Sequence, residues 1–158
     1  MSIEDFKGLM DGFDPAALLP NLDTVLGKLA LIARIAVLVG PAAMVIMGLT
    51  YLFLSPKEAN HYLGYRCYYG MGSVEAWQFT QRLAGIVWGA MGLVLGVVML
   101  VLSSDFAELQ TMDLLWKAVY CAAGEGIAVL AAWIGVNATI AARFDSRGDL
   151  RKQKKRRR

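Results

Sequence analysis

The chain has 158 residues, of which 57% are hydrophobic and 18% are charged, and its formal net charge is +3 at pH 7. This length suits one domain, and the apolar share exceeds the roughly 45–50% that is usual for soluble globular proteins, which favours a membrane protein. Its two cysteines, Cys67 and Cys121, do not form a disulfide framework, because the topology argued below places them on opposite sides of a membrane.

Residues 1–34 are predicted to form an acidic and amphipathic N-terminal segment. Four acidic residues occupy its first turns, and the apolar stretch begins only after Lys28, which argues against a removable signal peptide. Residues 23–34 are apolar with charges at intervals. They suit either a helix lying in the membrane interface or a polar extension of the first span.

Three apolar runs have about the length of ~20 residues that a helix needs to cross a roughly 30 Å hydrocarbon core. They cover residues 35–54, 83–102 and 118–142. The first run contains Gly40 and Pro41, which membrane helices tolerate when neighbouring groups satisfy the freed backbone. The predicted fold class is therefore an all-α integral membrane protein with three transmembrane helices.

A polar, aromatic and glycine-rich stretch, residues 60–77, joins the first two runs. Asn60 and Gly64 are typical of turns, and Ser73 is a predicted N-cap for a helix that begins directly after it. Glu75 lies in the first turn of that helix, near the positive end of the dipole. The helical period then predicts one stripe formed by Trp77, Gln81, Ala84, Trp88 and Gly92.

This stretch resembles the shared pattern of the SdpI family of bacterial membrane proteins. The residues that carry the resemblance are Asn60, Gly64, Tyr65, Arg66, Ser73, Glu75 and Trp77, followed by a glycine-rich span. The resemblance covers roughly residues 35–102 and includes the placement of the third helix. It implies a protein that gives immunity against a secreted toxin, or a signal transducer that holds a transcriptional repressor at the membrane. The chain departs from the family where Cys67 and Tyr68 follow Arg66.

Arg66 has two alternative interpretations, because its guanidinium offers five N–H donors in a rigid fork. It is either an anchor for a lipid phosphate, a partner's acidic group or a peptide carboxylate, or a structural clamp that pairs with Glu75. His61 and Cys67 are six positions apart without a second pair of ligands, so we expect no metal site. We also expect no cofactor and no enzymatic activity, because no catalytic constellation is present.

Glu125 and Asn137 are the polar residues of the third run. An acid inside a bilayer usually faces a cavity or a partner, so we expect Glu125 either to pair with Arg34 or to handle a ligand or a proton. Helix packing is predicted from small residues four positions apart. The three pairs are Gly85 with Gly89, Gly92 with Gly96, and Ala131 with Gly135.

Basic residues are concentrated in the tail, residues 143–158, whereas residues 103–117 carry three acids and one lysine. This distribution predicts an N-out and C-in protein of the bacterial cytoplasmic membrane. A polybasic tail next to a membrane favours anionic lipid headgroups over nucleic acid. Two function classes remain: an SdpI-like protein that binds a toxin or a cytoplasmic partner, or an accessory subunit of a larger complex or transporter. Either class is compatible with a protein partner or a homo-oligomer.

Overall fold

The structure is a computed structural model that describes residues 22–60 and 62–151. Its elements in chain order are α1 (Leu22–Leu49), a π-helical turn (Thr50–Leu54) that extends α1, α2 (Val74–Leu102) and α3 (Thr111–Arg143). Three helices are long and apolar enough to cross a membrane. The prediction of three spanning helices in an all-helical fold is thereby confirmed for the described part of the chain.

The first helix begins earlier than the predicted span. Residues 22–34 are continuous with the apolar part of α1, so they form the polar extension of the span rather than a separate interfacial helix. Pro41 lies inside this helix and is buried. The four acidic residues in the first turns of the predicted N-terminal segment lie outside the described residues.

The third helix also begins earlier, at Thr111 rather than at residue 118. The added residues include Lys117, a good helix former, whose Nζ lies 2.6 Å from the carboxylate of Asp105 and 5.9 Å from the centre of the Phe106 ring. A charged residue that is satisfied from the preceding loop does not have to end a helix. The hydrogen bond from Lys117 also lowers the pKa of the Asp105 carboxyl, which stabilises the charged form.

The contact between α1 and α2 depends on glycines. A Cβ atom placed on Gly48 would lie 2.5 Å from the backbone nitrogen of Gly89 and 2.9 Å from the carbonyl oxygen of Gly85. A Cβ on Gly92 would lie 2.8 Å from the backbone nitrogen of Val45. These distances leave no room for side chains, so the two backbones touch where lipid provides no hydrophobic driving force for association. At Gly96 the approach is looser, and a Cβ would meet Pro41 at 3.8 Å, an ordinary van der Waals contact.

The small pair of α3 does not take part in packing within the chain. Ala131 is exposed, and a Cβ on Gly135 would meet nothing within 4 Å. Instead, α3 packs through Ala132, Val136 and Ile140, which lie four residues apart and are buried.

The core has two clusters, one towards each end of the bundle. The end that carries residues 55–73 and 144–151, here called the loop end, has a cluster that includes Tyr65, Trp88 and Phe144. The opposite end carries residues 103–110, and its cluster includes Phe106 and Cys121. At the loop end, residues 55–73 and 144–150 fold over the helix ends, and these two segments together are called the cap.

Candidate functional site

The cap is attached to α2 by a pair of hydrogen bonds to one side chain. The Oε1 atom of Gln81 accepts a hydrogen bond from the backbone nitrogen of Tyr65 at 2.7 Å, and its Nε2 atom donates to the carbonyl oxygen of Tyr65 at 2.8 Å. Both bonds are buried, and Gln81 is 2% exposed. One amide therefore satisfies both backbone groups of a residue that cannot reach water, as buried polar groups require.

The side chain of Tyr65 links the cap to α3. Its hydroxyl oxygen accepts a hydrogen bond from Nδ2 of Asn137 at 2.7 Å. Its ring lies edge-on to Tyr51, with ring centres 5.8 Å apart, and 6.5 Å from the ring of Trp88. Burial raises the pKa of Tyr65 to about 12, so the phenol remains protonated at physiological pH. Tyr65 thus contacts every helix of the bundle.

Trp77 is wholly buried under the cap. Its exposure is 0%, and its Nε1 atom donates a hydrogen bond to the carbonyl oxygen of Pro56 at 2.8 Å. The predicted stripe from Trp77 to Gly92 is confirmed, since all its members are buried. The folded cap covers both Trp77 and Gln81.

The turn before Tyr65 requires Asn60 and Gly64. The Oδ1 atom of Asn60 accepts hydrogen bonds from the backbone nitrogens of Tyr62 at 2.8 Å and Leu63 at 2.9 Å. Gly64 has φ of 116°, a conformation that side chains rarely adopt, and a Cβ there would lie 2.8 Å from the ring of Trp77. The chain can therefore cross the indole ring only at a glycine.

Ser73 joins the two parts of the cap. It is the predicted N-cap of α2, and its Oγ atom accepts a hydrogen bond from the backbone nitrogen of Ala76 at 3.1 Å. The same hydroxyl donates to the carbonyl oxygen of Gly148 at 2.9 Å. Gly72 and Gly148 are in backbone contact, because a Cβ on Gly72 would lie 2.5 Å from the nitrogen of Gly148.

Residues 144–150 are part of the fold and not of an extended tail. Phe144 pairs with Leu150 in an antiparallel bridge, and Oδ1 of Asp145 accepts from the backbone nitrogens of Arg147 and Asp149 at 3.0 Å. The basic residues from Lys152 onward lie outside the described residues.

The proposed clamp between Arg66 and Glu75 is not formed. Among residues 22–60 and 62–151, the ion pair closer than 4.0 Å joins Lys117 to Asp105. Arg66 and Glu75 are both exposed. The hydrogen bonds of Gln81 and Ser73 already hold the cap, so the guanidinium is not required to hold it. Two tyrosines of the same loop are also exposed, Tyr62 at 92% and Tyr68 at 75%.

The model of the SdpI/YfhL protein family matches residues 57–137. The chain belongs to this family. The matched region begins in the cap and ends at Asn137, the residue that bonds Tyr65, so it includes α2 and most of α3. The first helix lies outside the match, although the resemblance seen in the sequence was placed from residue 35 onward. No curated protein and no solved structure matches the chain.

Two contacts of this SdpI-family region cannot be inferred from residue spacing. Gln81 looks like an ordinary polar residue near a helix end, and Asn137 is 72 residues away from Tyr65 along the chain. The available signal was the position of Gln81 on an apolar stripe, because an amide buried among apolar residues needs a hydrogen-bond partner.

Cys67 is half-buried in the cap, and Cys121 is buried near the other end of the bundle. Both cysteines are free. A Cβ on Gly70 would lie 2.8 Å from the sulfur of Cys67, so the chain packs closely around this thiol. Burial raises the pKa of the Cys67 thiol, which makes it a poor nucleophile at neutral pH. His61, considered with Cys67 for a metal site, lies outside the described residues.

Glu125 does not pair with Arg34. Its Oε2 atom lies directly against Gly40 of α1, where a Cβ would collide with it. Its Oε1 atom is buried and accepts no hydrogen bond from the described residues. Arg34 precedes Gly40 by six residues, which is about 9 Å along the helix axis and roughly 120° around it. Arg34 therefore lies on another face of α1, where it is exposed.

Proposed function

We propose that the chain acts by binding rather than by catalysis, as an SdpI-like protein of toxin immunity or membrane signalling. Membership of the SdpI/YfhL family suggests a membrane immunity-type protein. The observation that carries the proposal is that the residues that hold the cap in place differ from those that it exposes. Buried neutral groups hold it together, and Arg66 with Tyr62 and Tyr68 is left exposed. Arginine and aromatic side chains on a rigid support are typical of protein recognition sites.

The cap is proposed to face the cytoplasm of a bacterium, with the N-terminus outside. Arg66, Arg82 and Arg143 lie towards the loop end, whereas residues 103–110 contain Asp105 and Glu108. Basic residues remain on the cytoplasmic side of membrane proteins, which supports this orientation.

The orientation is testable by cysteine labelling. Because Cys67 is half-buried and has a raised pKa, it is a poor reporter. Glu108→Cys and Tyr68→Cys, each in a background with both native cysteines changed to serine, place reporters at exposed positions. A membrane-impermeant maleimide added to intact cells should label residue 108, and should label residue 68 only after permeabilisation. The reverse pattern would overturn the orientation.

Immunity is tested by survival. A bacterial host that produces the protein is challenged with a panel of membrane-active peptides, beside a host with an empty vector. We expect protection against at least one peptide, and Arg66→Ala should reduce it. Arg82→Ala is the matched control, because this arginine is also exposed near the loop end. Equal survival of both hosts across the panel would contradict immunity.

Signalling is tested by crosslinking from the cap. A photoreactive amino acid at position 68 should trap a cytoplasmic protein, and Arg66→Ala should reduce the yield whereas Arg82→Ala should not. The same group at Leu100, an exposed position in the spanning part of α2, serves as the lipid-facing control. Identical products from positions 68 and 100 would show that the cap has no partner of its own.

A second candidate function, an accessory subunit or a homo-oligomer, is favoured by the outward surface of α3. Gly124, Gly126 and Gly135 have open space where a Cβ would lie, so another helix can approach the backbone of α3 closely. Under this alternative, Gly135→Leu reduces the size of the complex extracted in mild detergent, and Arg66→Ala leaves it unchanged. An unchanged size with Gly135→Leu would reject this surface as an interface.

A further inference from the structure

A cavity of about 610 Å³ lies where α3 ends and residues 144–150 turn back. It is lined by Thr139, Ala142, Arg143, Leu150 and Arg151. Two guanidinium groups thus stand beside a wall of small and apolar residues. The exposed surface of α3 continues from this wall into the spanning part of the helix, where Gly135 and Ala138 carry almost no side chain.

Both arginines are held in place by other residues. The guanidinium of Arg143 lies over the Phe79 ring, 4.2 Å from its centre, which is a cation–π distance. Nε of Arg151 donates a hydrogen bond to the carbonyl oxygen of Phe144 at 3.0 Å, and its guanidinium lies 5.9 Å from the centre of the Tyr69 ring. Each guanidinium has five N–H donors, and the Nε bond uses one of those of Arg151. Preorganised guanidinium groups match the geometry of phosphate oxygens.

The charge around the cavity favours an anion. Residues 143–151 contain three arginines and two aspartates, and residues 152–158 add six further basic residues by sequence. The two aspartates belong to the turn, where Asp145 accepts backbone hydrogen bonds, and neither lines the cavity. A soluble anion would make no use of the apolar wall, whereas a lipid would place its acyl chain there.

We propose that this cavity binds an anionic phospholipid, with its phosphate at Arg143 and Arg151 and an acyl chain along the outward surface of α3. This is a defined site on the folded part of the chain. It differs from a general attraction of the basic tail to headgroups, since it depends on two particular arginines and on the turn that holds them.

The test uses the full chain in detergent and native mass spectrometry with added phosphatidylglycerol or phosphatidylcholine. We expect the wild type to retain phosphatidylglycerol preferentially. Arg143→Gln and Arg151→Gln should each weaken that binding about tenfold, the typical loss for a hydrogen bond to a charged group. Arg147→Gln is the matched control, because Arg147 is exposed on the same turn and does not line the cavity.

Three results would overturn the proposal. Equal loss with Arg147→Gln would show general charge attraction, and unchanged binding by the double variant Arg143→Gln/Arg151→Gln would show another site. Displacement of the lipid by inorganic phosphate at equal concentration would show a soluble-anion site. If the double variant is not recovered folded, the single variants Arg143→Lys and Arg151→Lys replace it in the test. Each keeps the positive charge and loses the planar guanidinium, so each should by itself weaken the binding of phosphatidylglycerol. Wild-type binding by both would equally reject the site.

Discussion

Tyr65 and Gln81 are joined by two hydrogen bonds, one in each direction, between the backbone of a loop residue and the side chain of a helix residue. This pairing attaches residues 55–73 of the cap to the helical bundle. The tyrosine ring then contacts Tyr51 and Trp88, and its hydroxyl reaches Asn137. The loop can expose Arg66 and Tyr68 on a fixed surface because its stability comes from these buried groups.

Replacement of Gln81 by alanine should destabilise the protein by about 1–3 kcal/mol, because a buried backbone N–H and a buried carbonyl lose their partners. The measurement is thermal unfolding in detergent. Gln78→Ala is the control, since Gln78 is exposed and its Nε2 atom donates only a long bond of 3.4 Å to the carbonyl oxygen of Lys57. A melting temperature of Gln81→Ala equal to that of Gln78→Ala would mean that the two hydrogen bonds do not hold the loop.

The sequence predicted the features of this region that depend on local rules. The N-cap role of Ser73 follows from the preference for hydroxyl residues before a helix, and the stripe from Trp77 to Gly92 follows from the helical period. The partners of Gln81 and Asn137 depend on how a loop folds back over a helix. Their bonds to Tyr65 span 16 and 72 residues, and no local rule fixes such distances.

The two ion pairs that were predicted from opposite charges are not formed. Arg66 with Glu75 and Arg34 with Glu125 are opposite charges that the predicted topology places towards the same side of the membrane. A shared side of the membrane fixes neither the depth of a residue nor the face of the helix that it occupies. In both cases glycine contacts and neutral hydrogen bonds determine the packing instead.

Ser73→Ala should remove both the N-cap hydrogen bond of α2 and the hydrogen bond to the carbonyl oxygen of Gly148. We expect a loss of about 1–2 kcal/mol, from a typical cap contribution of about 1 kcal/mol and one further hydrogen bond. Limited trypsin digestion should then cut faster at Arg147, because the turn is released from α2. Ser104→Ala is the matched control, as its hydroxyl donates to the carbonyl oxygen of Val101 at an exposed helix end. Equal digestion of both variants would show that Ser73 does not hold the turn.

Glycine substitutions on two helices should act in opposite directions. Gly48→Ala places a Cβ 2.5 Å from the backbone of Gly89, so α1 and α2 must separate, and we expect destabilisation of about 1–3 kcal/mol. Gly135→Ala meets open space and should be neutral or stabilise by up to about 1 kcal/mol, because alanine favours the helix. Thermal unfolding in detergent measures both. A loss of stability with Gly135→Ala would reveal that its surface is covered in the purified protein.

The last prediction concerns Glu125, which two double-mutant cycles can assign to a neighbour. Because Arg34 lies on another face of α1, Glu125→Gln and Arg34→Gln should be additive, with a coupling energy below about 0.5 kcal/mol. Gly40 is the neighbour in contact, so Gly40→Ala should destabilise the wild type only modestly, because the carboxylate at the end of the flexible Glu125 side chain must move aside. In a Glu125→Ala background the same change meets no carboxylate and should cost less, which gives a coupling of about 0.5–1 kcal/mol. Unfolding in detergent measures each corner of both cycles. Strong coupling of Glu125 to Arg34, with none to Gly40, would restore the ion pair and refute the helix contact.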